Sequence, residues 1–427
     1  MNMLKTMAQA WHIPEVRKKL LYTVMMLVIF RLGSCIPVPG INREIFAAAF
    51  QANDSGLFGL FDMFSGGAFS NFTIFALSIT PYITASIILQ LLTIAIPALE
   101  QLAKEGQEGQ KKIAQYTRYL TVVLATVQAA GLTFGLFRNY LLSDSIAMKG
   151  VIILTLVAGT AFLMWLGERI NENGIGNGIS LIIFAGIVSR LPVAIRGTIA
   201  SLKAGTVGVI AIVLFLIMAL FIIIGVIAVQ EGSRKIPVQY AKRVVGRKMY
   251  GGQSTHIPLK VNQSGVIPVI FSTSILQMPL TIAYIWPGTG FANFVTNWLS
   301  PSGNPGVWVY SILNILMIIF FTYFYNGITF NPQQIAENMK VNGGFIPGIR
   351  PGRATVEYLA RIVSRLGIVG AIFLAVIATL PTLLQQFTNL QIGFGGTSLL
   401  IAVGVALETM KQLETQMVMR NYNGFLK

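Results

Sequence analysis

The chain has 427 residues, 54% hydrophobic and 11% charged, with 31 Lys and Arg against 15 Asp and Glu, a formal net charge of +16. A soluble domain carries about 25% charged residues, so this composition and its repeated long apolar runs describe a polytopic membrane protein. One cysteine, Cys35, excludes an internal disulfide and a cysteine-built metal site, and two histidines, His12 and His256, exclude a histidine cluster.

Residues 1–19 form an amphipathic basic head with Lys5, Arg17, Lys18 and Lys19. A first span is expected over 20–37; no small-residue cleavage pattern follows in IPVPG, so it reads as a retained helix and not a signal peptide. Arg31 lies well along that span. A charge at such depth is expensive, which calls for a protein partner or a far-interface partner. Pro37 and Pro39 end the helix.

The stretch from Gly56 to Leu92 comes next. Leu57–Phe64 is short and apolar with Asp62 its only charge, a small-residue break follows at Ser65–Ala68, and Phe72–Ile96 is apolar throughout. About 20 apolar residues span a bilayer as a helix, so the later run is long enough for span 2 and the earlier piece is not. Interrupted segments of this kind occur where a transport pathway lies, because irregular backbone must be buried in protein or face water. A re-entrant turn or a membrane-surface helix is the plainer alternative.

Span 3 is expected over 117–138 and span 4 over 148–167, after a charged loop at 97–116. The Gly/Asn-rich turn 168–178 precedes a short span 5, Ile179 to about Leu191, stopped by Pro192. Span 6 covers 206–229, span 7 covers 264–286 with interruptions at Pro268 and Pro279, span 8 covers 307–328, span 9 covers 365–384 and span 10 covers 396–410. Ten spans put both ends on one side. The head, the loops after even-numbered spans and the tail hold 24 of the 31 basic residues, which places both termini in the cytoplasm. Against the rule, the outer loop after span 5 would carry Arg190, Arg196 and Lys203.

Two long cytoplasmic loops, 230–263 and 329–361, are strongly basic. The first holds Arg234, Lys235, Lys242, Arg243, Arg247, Lys248 and Lys260 against Glu231, and its alternation predicts an extended ribbon. In the second, Asn331 and Pro332 form a helix start, GFIPGIRPGR makes a rigid tip presenting Arg350 and Arg353, and Thr355 caps the helix into span 9. Such loops can grip RNA phosphates or an acidic protein surface; anionic lipid is the plainer occupant.

Enzymatic motifs are missing. No Gly-Lys dipeptide occurs, so there is no phosphate loop; GIGNG at 174–178 has the wrong spacing for a dinucleotide fingerprint, and GTSL at 396–399 is no nucleophile elbow. Glu168 and Glu408 fall near span ends, which leaves no mid-span acid for an ion-coupled solute transporter. These absences point to no enzyme, no built-in energy source, and no cofactor or metal site; a secondary solute transporter and a membrane-embedded docking scaffold are readings that the residues leave open.

MFSGGAFSNFTIFALSITPYITASIILQLL (63–92) and WLGERINENGIGNGISLII (165–183) resemble the two signatures of the SecY family, and YAKRVVGRKMYGGQSTHIPLKVN, FNPQQIAEN, GFIPGIRPG and FGGTSLL follow in the family's order. The resemblance covers nearly the whole chain. It departs at Ser78, where the family usually has glycine, and at Thr80, which touches local packing beside the pore.

The resemblance implies an all-α fold of ten transmembrane helices in two inverted five-helix halves, 20–204 and 205–414, with a cytoplasmic tail at 415–427. It implies a channel in the bacterial plasma membrane that passes unfolded secretory chains and releases membrane helices sideways, driven by the motor ATPase SecA or by a ribosome. A plug at about 57–68 would use Leu57, Phe58, Leu60, Phe61, Asp62 and Phe64. A pore ring would consist of Ile79, Ile83, Ile179, Ile183, Ile270 and Ile401. A lateral gate between spans 2–3 and 7–8 would carry Thr84, Gln90, Ser272, Thr273 and Gln277, bonding across the closed gate, meeting a signal helix, or making ordinary interhelical bonds. Lys242, Arg243, Arg247 and Lys248 match ribosome-facing positions, and Arg350, with Arg353 beside it, matches the tip needed by the motor. Partners implied are small subunits like SecE and SecG, SecA, the ribosome, signal sequences and nascent chains, anionic lipids, and a YidC-like insertase.

Overall fold

The computed structural model describes residues 11–42, 45–46, 62, 65–205, 208–240, 243–245, 248–250, 254–286, 288–300, 305–388 and 396–424. Ten principal helices stand where ten spans were expected. They are α1 (Pro14–Gly33), α2 (Thr80–Ala95), α4 (Gln107–Phe134), α5 (Ile146–Asn173), α6 (Gly178–Lys203), α7 (Val209–Glu231), α8 (Ile267–Ile285), α10 (Gly306–Thr329), α12 (Arg353–Thr388) and α13 (Gly396–Gly424). The short helices α3 (Pro97–Lys104), α9 (Gly290–Trp298) and α11 (Pro332–Val341) lie between them. By length and composition five helices can cross a membrane, or six if the α2–α3 pair, bent by 101°, is one span. Helix α7 is almost wholly apolar, and Ile210, Phe221 and Ile224 along it are exposed, as a lipid-facing helix requires.

Several boundaries differ from expectation. The apolar run from Phe72 is not helical until Thr80. Residues 66–79 form turns, held sideways by the Val38 N–H bonded to Phe72 O and the Ile74 N–H bonded to Ile36 O, each at 3.0 Å. Pro81 then suits the first turn, where its missing N–H is no loss. The helical part of this span is thus 16 residues, about 24 Å. Helix α6 does not stop at Pro192 but continues to Lys203, because one proline removes one hydrogen bond and packed membrane helices tolerate that. Arg190, Arg196 and Lys203 therefore sit on a helix and not in a loop. Pro268 opens α8 instead of interrupting it, while Pro279 lies inside.

The two basic loops form one body. Strand β1 (Ser233–Tyr240) pairs antiparallel with β4 (Ser254–Lys260), from Ser233 opposite Lys260 to Gln239 opposite Ser254. The short β2 (Arg243–Val245) and β3 (Lys248–Tyr250) pair with each other. From the second loop, β5 (Gly344–Phe345) joins the free edge of β1. Ile236, Val238 and Leu259 of the strands share a core with Met339 of α11, with Ile346 and with Leu359 of α12.

At this strand-bearing end the turn between α5 and α6 is fastened on two sides. The Ile175 N–H donates to Thr23 Oγ1 of α1 and the Gly176 N–H to Gln412 Oε1 of α13, both at 3.0 Å. Val16, Ile175, Leu413 and Met417 pack around the junction. First and last helices are thereby tied to the middle of the chain.

Candidate functional site: an isoleucine constriction and its seat

Six isoleucines each lie within the first two turns of a helix or at its cap. Ile79 caps α2 and Ile83 lies one turn on, its N–H bonded to Ile79 O at 3.1 Å. Ile179 and Ile183 open α6, Ile270 opens α8 and Ile401 lies near the start of α13. Five are buried, Ile179 is half-buried, and all six belong to one apolar cluster. Four helices, two from each half of the chain, contribute. Branched side chains packed this way offer no hydrogen-bond partner to water or to an ion.

A polar cavity of about 600 Å³ opens beside this cluster, among α7, α8, α10 and α13. Gln230, Lys260, Asn262, Glu408, Lys411 and Gln412 line it. Val266, which lines it, also belongs to the apolar cluster that holds the isoleucines. Lys411 bridges to Glu231 at 2.8 Å and fixes the end of α7. The sequence reading missed this cavity. Its signal was there in Gln412, Thr415 and Gln416, which share a face of a helix that continues beyond 410.

Asp62 and residues 65–75 sit in a seat of backbone and charge. Asp62 is fully buried and ion-paired to Arg190 of α6. Its other oxygen accepts from the Ser70 N–H at 2.6 Å, and its carbonyl accepts from the Gly67 N–H at 3.0 Å. Arg31 donates to Gly66 O at 3.0 Å and to Ser189 Oγ at 3.3 Å. The partner expected for Arg31 is thus a plug-side carbonyl. Three spans present glycines to this segment. A Cβ at Gly33 would lie 2.1 Å from the Phe75 ring, at Gly159 1.9 Å from Ile74 O, and at Gly66 itself 2.7 Å from Gly186 Cα. An aromatic box of Phe46, Phe69, Phe72, Phe137 and Tyr140 closes the side, with Phe72 and Phe137 4.4 Å apart. Of the six plug residues expected, Leu57, Phe58, Leu60, Phe61 and Phe64 lie outside the described residues.

Ser78 and Phe72 are the only non-glycine residues with positive φ among the described residues, at 53° and 44°. The left-handed region costs an ordinary residue roughly 1–2 kcal/mol, which accounts for the glycine expected at 78. Ser78→Gly should stabilise the solubilised protein by about 1 kcal/mol and Ser78→Ala should not; thermal unfolding checks both, and equal midpoints would show that the backbone is unstrained.

Helix α8 packs on α2 and α4, the seam where the gate was expected. Among the described residues, the hydrogen bonds of the gate residues stay on one side of that seam. Thr84 Oγ1 donates to Thr80 O, Thr273 Oγ1 to Val269 O and Ile270 O, and Gln90 Nε2 to Ser86 Oγ. Short hydroxyl side chains on helices fold back on their own preceding turn. Ser272 bonds to Asn314 Oδ1 at 2.6 Å, joining α8 to α10 within the second half. Gln277 is buried with its Nε2 unpaired among the described residues, a cost of about 1–3 kcal/mol in this packing.

Of the basic loop residues, Lys242 and Arg247 lie outside the described residues, while Arg243 and Lys248 fall on β2 and β3. Arg350 is exposed at the tip. Arg353 begins α12 and pairs with Glu357 at 3.2 Å. Thr355 does not cap α12; its hydroxyl donates to Arg350 O at 3.0 Å and braces the tip.

A family model described as SecY matches residues 73–410. Among curated relatives, the protein translocase subunit SecY of Halalkalibacterium halodurans is 48% identical over 438 aligned positions, covering 100% of both chains. That of Thermotoga maritima is 44% identical, covering 100% of this chain and 98% of the relative. Among solved structures, one described as the structure of a protein conducting channel superposes with a TM-score of 0.68 at 22% identity, covering 94% of this chain and 93% of the other. Sec61 in the canine ribosome-channel complex gives 0.61 at 19%, covering 94% and 93%.

Proposed function

The chain belongs to the SecY family, and on that premise we propose that it conducts unfolded polypeptides across the bacterial plasma membrane and passes membrane helices sideways through the α2–α8 seam. The observation that supports this reading is that six isoleucines from four helices lie in or against one buried apolar cluster, which shares Val266 with a cavity lined largely by polar residues. A narrow apolar collar excludes ions by dewetting and gives a passing chain nothing to hold. The strand-bearing end with its basic residues faces the cytoplasm, where the polar cavity receives the chain. A plug at about 57–68 closes the outer side. A SecA-like motor or a ribosome docks on the joined loops and supplies the push, and small subunits like SecE and SecG complete the assembly.

The test is a cysteine in place of Ile183 or Ile270, in a complex with a translocating chain stalled part-way. A disulfide or crosslink to the chain is expected at both positions, and at neither of the lipid-facing positions Ile210 and Phe221. Crosslinks at the lipid-facing positions alone would move the pathway elsewhere.

A further inference from the structure

The channel reading leaves two charges without a role: an acid buried in the plug-side segment and an arginine in the middle of an apolar helix. We infer that Asp62 and Arg190, with Arg31 on Gly66, form an electrostatic latch, and that breaking it is the step that frees Asp62 and the turn at 65–70 from their seat. The inference rests on the plug reading of that segment. It goes beyond that reading by assigning the holding force to named charges on α1 and α6.

Asp62 is 0% exposed, whereas the Arg190 side chain is 20% exposed. A buried carboxylate is tolerated only when paired and hydrogen-bonded. Both its oxygens are used, one by Arg190 and one by the Ser70 N–H. The second bond matters because it couples the ion pair to the shape of the segment. Ser65 Oγ donates to Asp62 O at 3.1 Å and accepts from the Phe69 N–H at 3.0 Å, so the carboxylate anchors a closed turn. Arg31 grips the same turn from α1 through Gly66 O, and Ser189, one residue from Arg190, lies 3.3 Å from that carbonyl. Two helices therefore hold one turn by three polar contacts. The contact is possible only because Gly66 and Gly186 meet backbone to backbone.

Direction follows from the burial asymmetry. In the seat, Asp62 loses its water and gains Arg190. Leaving the seat rehydrates both. The pair thus holds the segment while intact but adds no barrier once an arriving chain has displaced it.

The experiment measures ion leak through vesicles containing the full-length protein and its Asp62→Asn, Arg190→Gln and double variants, beside a deletion of residues 57–64. Arg190→Gln strands a bare buried carboxylate and should raise the leak roughly tenfold or more. Asp62→Asn keeps the Ser70 bond and leaves an arginine that reaches water, so it should leak less. The double variant, with two neutral amides in place of the pair, should leak less than Arg190→Gln alone. Leak of the double variant equal to the combined effects of the singles would show two independent residues and overturn the latch. Sealed single variants beside a leaking deletion would also overturn it, leaving the plug intact as an idea. A deletion that does not leak would instead remove the plug reading itself. The near-isosteric Asp62→Asn serves as the variant whose folding is least in question.

Discussion

Arg350→Glu should leave the protein inserted in the membrane at its normal level and reduce motor-driven export by at least roughly 30-fold. The size follows from reversing a charge at a specific docking contact, where losing one partner costs 2 kcal/mol or more. The fold is not at stake, since the guanidinium is exposed. What surrounds it is rigid. The Ile349 N–H bonds to Ile346 O at 3.0 Å, Ile346 is buried in the shared core, and Thr355 holds the Arg350 carbonyl. Gly348 and Gly352 on either side take φ values of 82° and 105° that only glycine adopts without strain. A stiff presentation means that a partner reads one position and not an average. Arg353→Glu is the control: its partner is Glu357 on its own helix, so export should fall far less. Normal export from Arg350→Glu, measured with a secreted reporter in inverted vesicles, would remove the motor-docking role.

Gly159→Val should have a large effect on both stability and sealing. Even one added carbon would meet the Ile74 carbonyl at 1.9 Å, and a carbonyl in a packed segment cannot swing aside as a side-chain tip can. Overpacking of this kind costs about 1–3 kcal/mol, and more for a branched residue against backbone. The expected result is a lower unfolding temperature with increased ion leak, because segment 66–79 must lift. Gly150→Val lies on the same helix with nothing within 4 Å of its Cβ, and should shift stability by no more than about 0.5 kcal/mol. Equal behaviour of the two variants would show that the segment is not seated there.

The ten helices were legible because long apolar runs bounded by charge have few other meanings. Their ends were less so. Pro192 read as a stop, yet α6 runs eleven residues past it, to Lys203; a breaker acts on propensity, and tertiary packing overrides propensity. The run from Phe72 read as helix because composition cannot report that its backbone bonds go to residues 36 and 38. The six isoleucines came from motif resemblance, since spacing alone made only two pairs of neighbours on single helices. Their meeting depends on four helices far apart in sequence. Asp62 stood out as the only charge of a short apolar piece, but Arg190 read as one of three basic residues in an outer loop, and nothing in their spacing matched one to the other. Which partners the gate residues take was not legible either: Thr84 and Thr273 turn back to carbonyls on their own helices, whereas Ser272 reaches Asn314 on the neighbouring helix.

The strand β5 that stitches the second basic loop to the first has a mechanical consequence. Helix α12 leaves that same core and runs for 36 residues, about 54 Å if straight. Whatever grasps the hairpin therefore also has its hand on a rod longer than the bilayer is thick, and a tug of a few ångströms outside need not be lost in slack before it reaches the far leaflet.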